Sequence, residues 1–540
     1  MANQVSNFSL TGKEEKDAVP AGPLPGTVPE LSLLFTDVQQ SIALMELAPP
    51  EPDYFVDLNL DQAIGAILAG REEYTLDGLF REPLHTLEAV TYRHEVFRDL
   101  ADRKLQSVLR TFAEGMRAMR KQLAQAAKLH YAYQQKRWYL EGIQTYCASV
   151  SKLACALRAT TIRSRALGVF GEFVNGYVES PNFGALDADT SGLIAELDSI
   201  SYSIVVDGGT LRVFRYAQED DYSRVIESTF EKFRQGEARD HRVEFREFPD
   251  MNHIEAKVLE FVALLNPRQF QRLDELYAVH QRYLDATVAM FDREIQFYLA
   301  YLDHMEQFKR IDRQFCFPEM SESDKRVYVN DSFDIALGQK LLSAGRRVVC
   351  NDFELEAGQR MIVVSGPNQG GKTTFARMFG QLFHLAGLGC PVPGSAARLL
   401  LSDRVFTHFE RQEDINNLRG KLKDDLVRIH QILRKASSRS VLVMNEIFTS
   451  TSLADALFLS EKVMKEADSL DVIGVWVTFI DELASYSDKV VSMVSSVDPQ
   501  QTSTRTFKVL RAPASGRSYA MSLAEKYGLT GDKIRERLQS

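Results

Sequence analysis

Disulfide and zinc-cage patterns are missing from this 540-residue chain. Its five cysteines (Cys147, Cys155, Cys316, Cys350 and Cys390) include no CxxC pair and are odd in number, which suits a reducing compartment. Long apolar runs are missing too. The longest, around residues 472–480, is about nine residues, against the roughly 20 that cross a bilayer. No basic segment followed by an apolar one opens the chain. Residues 1–29 are polar and rich in Pro, Gly and charge and read as a flexible tail, so a cytoplasmic protein with no membrane contact is expected. Glycine and proline are scarce in two stretches. Residues 101–166 hold only Gly115 and Gly142 and no proline, and neither type occurs between Pro267 and Pro318. The first stretch predicts two or three long helices. The second predicts one helix of ~45 residues, about 65 Å at 1.5 Å per residue, a strut or lever longer than a compact domain needs.

What is present is a globular composition, 45% hydrophobic and 26% charged, which buries sizeable cores and at this length implies two or more domains. The net charge of −10 is unevenly spread. Residues 341–540 carry 26 Lys/Arg against 22 Asp/Glu, and residues 1–340 carry 38 against 52. Inside that acidic part, residues 101–170 hold 13 basic and 3 acidic residues. Such a stripe could serve nucleic-acid phosphates, or be a solvated or acid-paired helix face. Its aromatics Tyr131, Tyr133, Trp138 and Tyr139 could stack on bases, but their helical spacing reads as core for most of them. Ser201–Val213 alternates apolar and polar residues around Asp207-Gly208-Gly209, a β-hairpin pattern. After about Ser343, short β-branched runs (Met361–Val364, Val441–Met444, Val472–Thr478) alternate with helical patterns, the signature of βαβ units around a mostly parallel sheet.

The chemistry sits at Gly366-Pro367-Asn368-Gln369-Gly370-Gly371-Lys372-Thr373-Thr374, which fits GxxxxGK[ST] between a strand and a helix. Glycines let the backbone turn its N–H groups toward phosphates, and the helix N-terminus adds positive potential. Lys372 is expected at the β/γ-phosphates and the Thr373 hydroxyl on Mg²⁺. About 70 residues on, Val441-Leu-Val-Met-Asn445-Glu446 is an apolar strand ending in polar groups. Nucleotide hydrolases of this kind place Asp at the first position. Asn445 can accept a hydrogen bond from a metal-bound water but carries no charge. Glu446 remains as general base or water-positioning group and as a further metal-side oxygen donor. ATP and Mg²⁺ are the cofactors this pattern implies.

Residues 352–538 resemble the ATPase domain of the MutS family of DNA mismatch-repair and recombination proteins. The GPNQGGKTT loop looks like that family's GPNMGGKST. Gly389-Cys-Pro-Val-Pro393 matches its GxxVPA turn, and Asp403-Arg-Val-Phe-Thr407 its D-x-IFTR element. Glu413-Asp414-Ile415 is similar to its DDL. Glu446-Ile447, Thr451-Ser452 and Asp455 fall in register with DEIGRGTSxxDG, and Ser518-Tyr519-Ala520 with S-Y-G. Upstream, Arg81-Glu-Pro-Leu84 with Arg93, Val96 and Leu100 resembles the start of the family's helical core and lever domain. The resemblance implies an α/β P-loop NTPase domain of ABC type, at 326–540, preceded by an elongated, mainly α-helical core/lever domain at 31–325. A short hairpin insertion near 201–215 and a flexible tail at 1–30 complete the expected plan.

The chain departs from the family in several places. Lever-like sequence begins near residue 60, so a short member lacking the mismatch-recognition and connector domains, and most of the C-terminal dimerisation extension, is expected. F-x-E, the pattern of the family's mismatch wedge, occurs for example at Phe80, Phe112, Phe170 and Phe245, as chance allows among 32 phenylalanines, and none of these four, which lie in the helical region, reads as a wedge. Asn445 replaces the Walker B aspartate, and Phe479 stands where the family has a γ-phosphate-sensing histidine. Gly420-Lys421-Leu422 stands at the signature loop, where Lys421 serves a neighbouring subunit's γ-phosphate in trans or is a surface lysine. The resemblance therefore implies an ATP-dependent DNA-binding ATPase with slowed hydrolysis. It would act as a homodimer, assembled with nucleotide, on mismatched, branched or damaged DNA. Arg117, Arg120, Lys121, Lys136 and Arg137 are its phosphate-contact candidates. The alternative is an ATP-gated protein-interaction scaffold without DNA binding, which the acidic helical half favours. A transporter ATPase is disfavoured because the LSGGQ signature is absent.

Overall fold

A computed structural model describes residues 28–47, 49–218, 222–231, 250–410, 420–497, 505–514, 531, 534 and 535. Glu413-Asp414-Ile415, Ser518-Tyr519-Ala520 and Phe245 lie outside these residues. The described chain packs as two compact units. One gathers 104–161 and 170–292, the other 30–103, 162–169 and 293 onward.

The first unit is mainly helical. Its low-glycine stretch forms the helices Arg103–Ala126 and Ala132–Arg158, followed by Arg165–Val178 and Pro181–Asp198. Leu105, Leu109, Phe112, Met116, Met119 and Leu123 recur at three- and four-residue intervals, so one face of the first helix is buried throughout. Phe112 and Phe170 both pack on Phe291, the latter ring stacked on it at 3.5 Å. They are core aromatics, as is the buried Phe80 of the other unit. The hairpin is present: Tyr202–Asp207 pairs with Thr210–Arg215 around Gly208 and Gly209, both at positive φ as a two-residue turn requires.

The expected 45-residue lever helix is not formed. Pro267–Val279 and Ala286–Lys309 are separate helices. Asp285 starts the second one, its carboxylate accepting from the N–H groups of Thr287 and Val288 at 2.8 and 3.0 Å. The break is stabilised from outside, because the Tyr139 hydroxyl has its one proton to share between the carbonyls of Gln281 at 2.6 Å and His280 at 2.9 Å. The absence of Gly and Pro did not prevent a stop, since a tyrosine from a distant helix offers its proton to the carbonyls just past the helix end.

The second unit is built on a six-stranded sheet. Its strands are β1 (Met361–Ser365), β2 (Val405–Phe409), β3 (Val441–Asn445), β4 (Ile473–Val477), β5 (Val490–Val497) and β6 (Arg505–Arg511). They lie in the order β2-β3-β4-β1-β5-β6, parallel except for the antiparallel β6. Every residue of β1, β3 and β4 is buried, as apolar strands covered on both faces should be. A mostly parallel sheet is therefore observed, and the carboxyl ends of β1, β3 and β4 meet at one edge. No helix among the described residues is long and apolar enough to cross a membrane.

Three buried histidines of this unit set an acid limit on stability. Burial holds His94, His304 and His384 down to about 4, with Arg98 adding to the effect at His94. The folded values lie below the ordinary 6.5, so the stabilisation is complete above about pH 6.5 and is lost as pH falls toward 4. For one fully buried histidine, the change is worth on the order of 3 kcal/mol. Thermal melts are expected to be flat from pH 8 to 7 and to fall steeply between pH 6 and 4. His384→Gln should remove part of that slope, and an unchanged slope would contradict the assignment.

Candidate functional site

The Gly366–Thr374 segment joins the end of β1 to the helix Lys372–Gly387, which Gly371 begins at φ 92. Gly366 (φ 112) and Gln369 (φ 60) also take left-handed backbone, so the loop curls back on itself. Lys372 is almost fully buried, and its ammonium donates to the Gly366 carbonyl at 2.8 Å and to Asn368 Oδ1 at 3.2 Å. Burial lowers its pKa, while Glu446 and Asp481 oppose this and Arg505 adds to it. A group so placed gains from a new anion.

β3 ends at Asn445, directly across from the loop. The Thr373 hydroxyl donates to Asn445 Oδ1 at 3.0 Å, and the Glu446 carboxylate lies 3.9 Å from the Lys372 ammonium. Glu446 has φ 52, a left-handed conformation uncommon outside glycine, and its N–H is pinned to the Val477 carbonyl of β4 at 2.9 Å. The structure thus gathers Lys372, Thr373, Asn445 and Glu446 at one sheet edge. Pro367, Gly370, Gly371 and Thr374 complete the same strand-to-helix turn. The donors are oxygens, suited to a hard cation. Among the described residues no cluster of three or more His, Cys, Asp or Glu could hold a metal. The Thr373 hydroxyl and the Asn445 amide oxygen, 3.0 Å apart, fit Mg²⁺ held through one or two protein oxygens with phosphate supplying others, as Mg²⁺ commonly is.

Other marked residues fare differently. Phe479 follows β4 and is about half exposed. Gly420 caps the helix Lys421–Lys435, and Lys421 is ion-paired to Glu410 of its own chain. Ser452 caps the helix Leu453–Leu470, accepting from the Asp455 N–H and donating to its carboxylate at 2.8 Å. Thr451 also bonds Asp455, so these three residues build a helix start. Of the basic candidates, Arg120 pairs with Asp292, Lys136 with Asp274, and Arg137 with Glu141 and Asp198. Arg117 is half-buried and Lys121 exposed on the same helix.

Two groupings escaped the sequence reading. On the loop helix, Arg377, Gln381 and His384 share one face. Arg377 bonds the Asp57 carbonyl, Gln381 bonds the Leu58 carbonyl and Asp334, and His384 lies between the Tyr54 hydroxyl and the Phe80 carbonyl. The buried Asp57 carboxylate also accepts from Thr407 of β2 at 2.6 Å and from Arg428 of the Lys421–Lys435 helix at 2.7 Å. One acidic residue therefore ties the loop helix, the sheet and the helix after Gly420 to segment 54–58. The second grouping, Ser495 and Phe507, lies against the loop itself. Their partners are more than 120 positions away in sequence, which no local pattern reveals.

The profile of the family described as MutS domain V matches residues 362–538. The chain is 26% identical over 296 residues to the DNA mismatch repair protein MutS of Chlorobaculum tepidum, covering 53% of this chain and 32% of that protein. It is 24% identical over the same length to MutS of Chlorobium phaeobacteroides, covering 53% and 33%. To MutS of Halalkalibacterium halodurans it is 28% identical over 186 residues, 34% of this chain and 21% of that protein. The matched part spans about a third or less of these curated relatives.

Proposed function

We propose that this chain, which belongs to the MutS family, is an ATP-dependent DNA-binding ATPase of DNA repair or recombination. Its 326–540 region would bind nucleotide and its 31–325 helical region would respond. The observation that carries the reading is the convergence of Lys372, Thr373, Asn445 and Glu446 at the carboxyl ends of β1 and β3. Loop N–H groups and the helix N-terminus would hold the phosphates, and Lys372 would turn from the Gly366 carbonyl to a phosphate oxygen. Thr373 and Asn445, already hydrogen-bonded to each other, would hold the metal side. Bound Mg²⁺ would neutralise charge on the phosphate oxygens. Glu446 would take the proton from the attacking water. The Asp57 junction offers a route by which loop occupancy reaches segment 54–58. A homodimer assembled with nucleotide, acting on mismatched, branched or damaged duplex, fits the family.

Steady-state hydrolysis with and without duplex, mismatched and junction DNA tests this reading. Stimulation by one DNA form, weakened by salt, is expected, and DNA-indifferent turnover with no DNA binding at low salt would overturn it. Asn445→Asp restores a negative charge next to Thr373 and is expected to raise Mg²⁺-dependent hydrolysis by about tenfold, the scale of one charge-assisted contact. A flat or lower rate would show that the neutral amide is not limiting.

A second reading, an ATP-gated scaffold that binds protein and not DNA, draws on two observations. Arg120, Lys136 and Arg137 are spent on carboxylates. The hairpin exposes Tyr202, Val205, Val206 and Phe214, an apolar surface unlike a phosphate contact. Co-purification of a protein partner with no DNA binding at low salt would favour it.

A further inference from the structure

We infer that Ser495 is a further positioning residue of the nucleotide site, its buried hydroxyl held in reserve for the loop backbone when phosphate draws Lys372 away. The inference rests on the reading of Gly366–Thr374 as that site.

Ser495 stands where the pairing of β5 with β6 slips. Ser495 pairs with Val509 and Val497 with Arg505, so residues 506–508 of β6 face Ser496 alone. Such a bulge bends a strand and re-aims its side chains. Phe507, inside the bulge, takes φ 59. Asn351 fixes the arrangement, donating to the Phe507 carbonyl at 3.2 Å and accepting from the Val509 N–H at 2.7 Å.

The bulge bears on the loop at three glycines. A methyl group on Gly371 would lie 3.6 Å from Phe507 Cα. One on Gly366 would lie 2.7 Å from Ser495 Oγ, and one on Gly370 only 2.5 Å from the same oxygen. Ser495 thus presses against both ends of the phosphate turn. It is fully buried, and its hydroxyl has no hydrogen-bond partner among the described residues. A buried hydroxyl left unpaired carries its full desolvation cost, so its position needs a reason.

The reason lies in the bonds of the loop. Lys372 now supplies the Gly366 carbonyl, and the Gly370 N–H is given to the Pro367 carbonyl at 3.3 Å. Once the ammonium turns to phosphate, the Gly366 carbonyl loses its donor. Ser495 Oγ–H lies beside that glycine with a proton to give. The hydroxyl is costly in the empty loop and satisfied in the filled one, and a difference of that sign favours the filled form.

The test uses the full chain with Ser495→Ala and Ser495→Cys, and Mg–ADP as the titrant. Removing an unpaired oxygen should leave the melting temperature of nucleotide-free protein unchanged or higher. The Ser495→Ala affinity for Mg–ADP should fall about 5- to 10-fold, the scale of one hydrogen bond. Ser495→Cys, which keeps a weak donor, should fall between alanine and wild type. Affinity within twofold of wild type in Ser495→Ala overturns the role. So does a lowered melting temperature of the empty Ser495→Ala protein, which would make the hydroxyl purely structural. Wild-type protein that takes up no Mg–ADP would instead overturn the nucleotide site itself, so the two failures are told apart.

Discussion

Lys372→Ala is expected to weaken Mg–ATP binding by at least about a hundredfold and to reduce hydrolysis to background, the scale for a buried charged donor to phosphate. Three features set the expectation. The ammonium is almost entirely withdrawn from water, its two present acceptors belong to the loop, and burial already lowers its pKa. Such a cation is worth more to a phosphate than an exposed one, because water does not compete. The fold should survive, since the acceptors it leaves, the Gly366 carbonyl and the Asn368 amide, belong to the same loop. Isothermal titration with nucleotide, beside a melting curve, separates the two effects. Affinity within threefold of wild type would remove Lys372 from the site.

Glu446→Gln should behave in the opposite sense, keeping nucleotide while losing turnover. The amide preserves shape but accepts no proton from water, and positioned general bases contribute about 10²- to 10⁴-fold. The backbone argues for a task at this position. Glu446 holds φ 52, pinned by Val477, where most residues would relax. With Asn445 neutral, the Glu446 carboxylate just past β3 carries the negative charge 3.9 Å from the Lys372 ammonium. Single-turnover hydrolysis with matched binding curves checks this. A rate within fivefold of wild type would mean that another group activates the water.

The candidate site was legible in the sequence where its pattern is local. GxxxxGKT, the apolar runs that became β1, β3 and β4, and the Gly208-Gly209 turn all depend on neighbours within a few residues. The long lever was misread because helix continuity is also decided from outside. Asp285 caps and Tyr139 receives the broken end, and Tyr139 lies about 140 positions away. Asp57 and Ser495 were invisible for the same reason, with partners as far off as Arg428 and Gly366. Motif residues can also have a plainer use. Ser452 and Asp455, in register with a hydrolase signature, build the start of a helix. The basic stripe shows the limit of charge counting, since its +10 includes cations committed to Asp292, Asp274 and Asp198.

Residues 366–374 are expected to seize a nucleoside triphosphate, and equilibrium binding of radiolabelled ATP to the purified full chain tests this most directly. With magnesium present, saturable uptake approaching one nucleotide per chain, weakened by chelation and abolished in Lys372→Ala, is the predicted result. No saturable uptake, or uptake indifferent to Lys372→Ala, would contradict it.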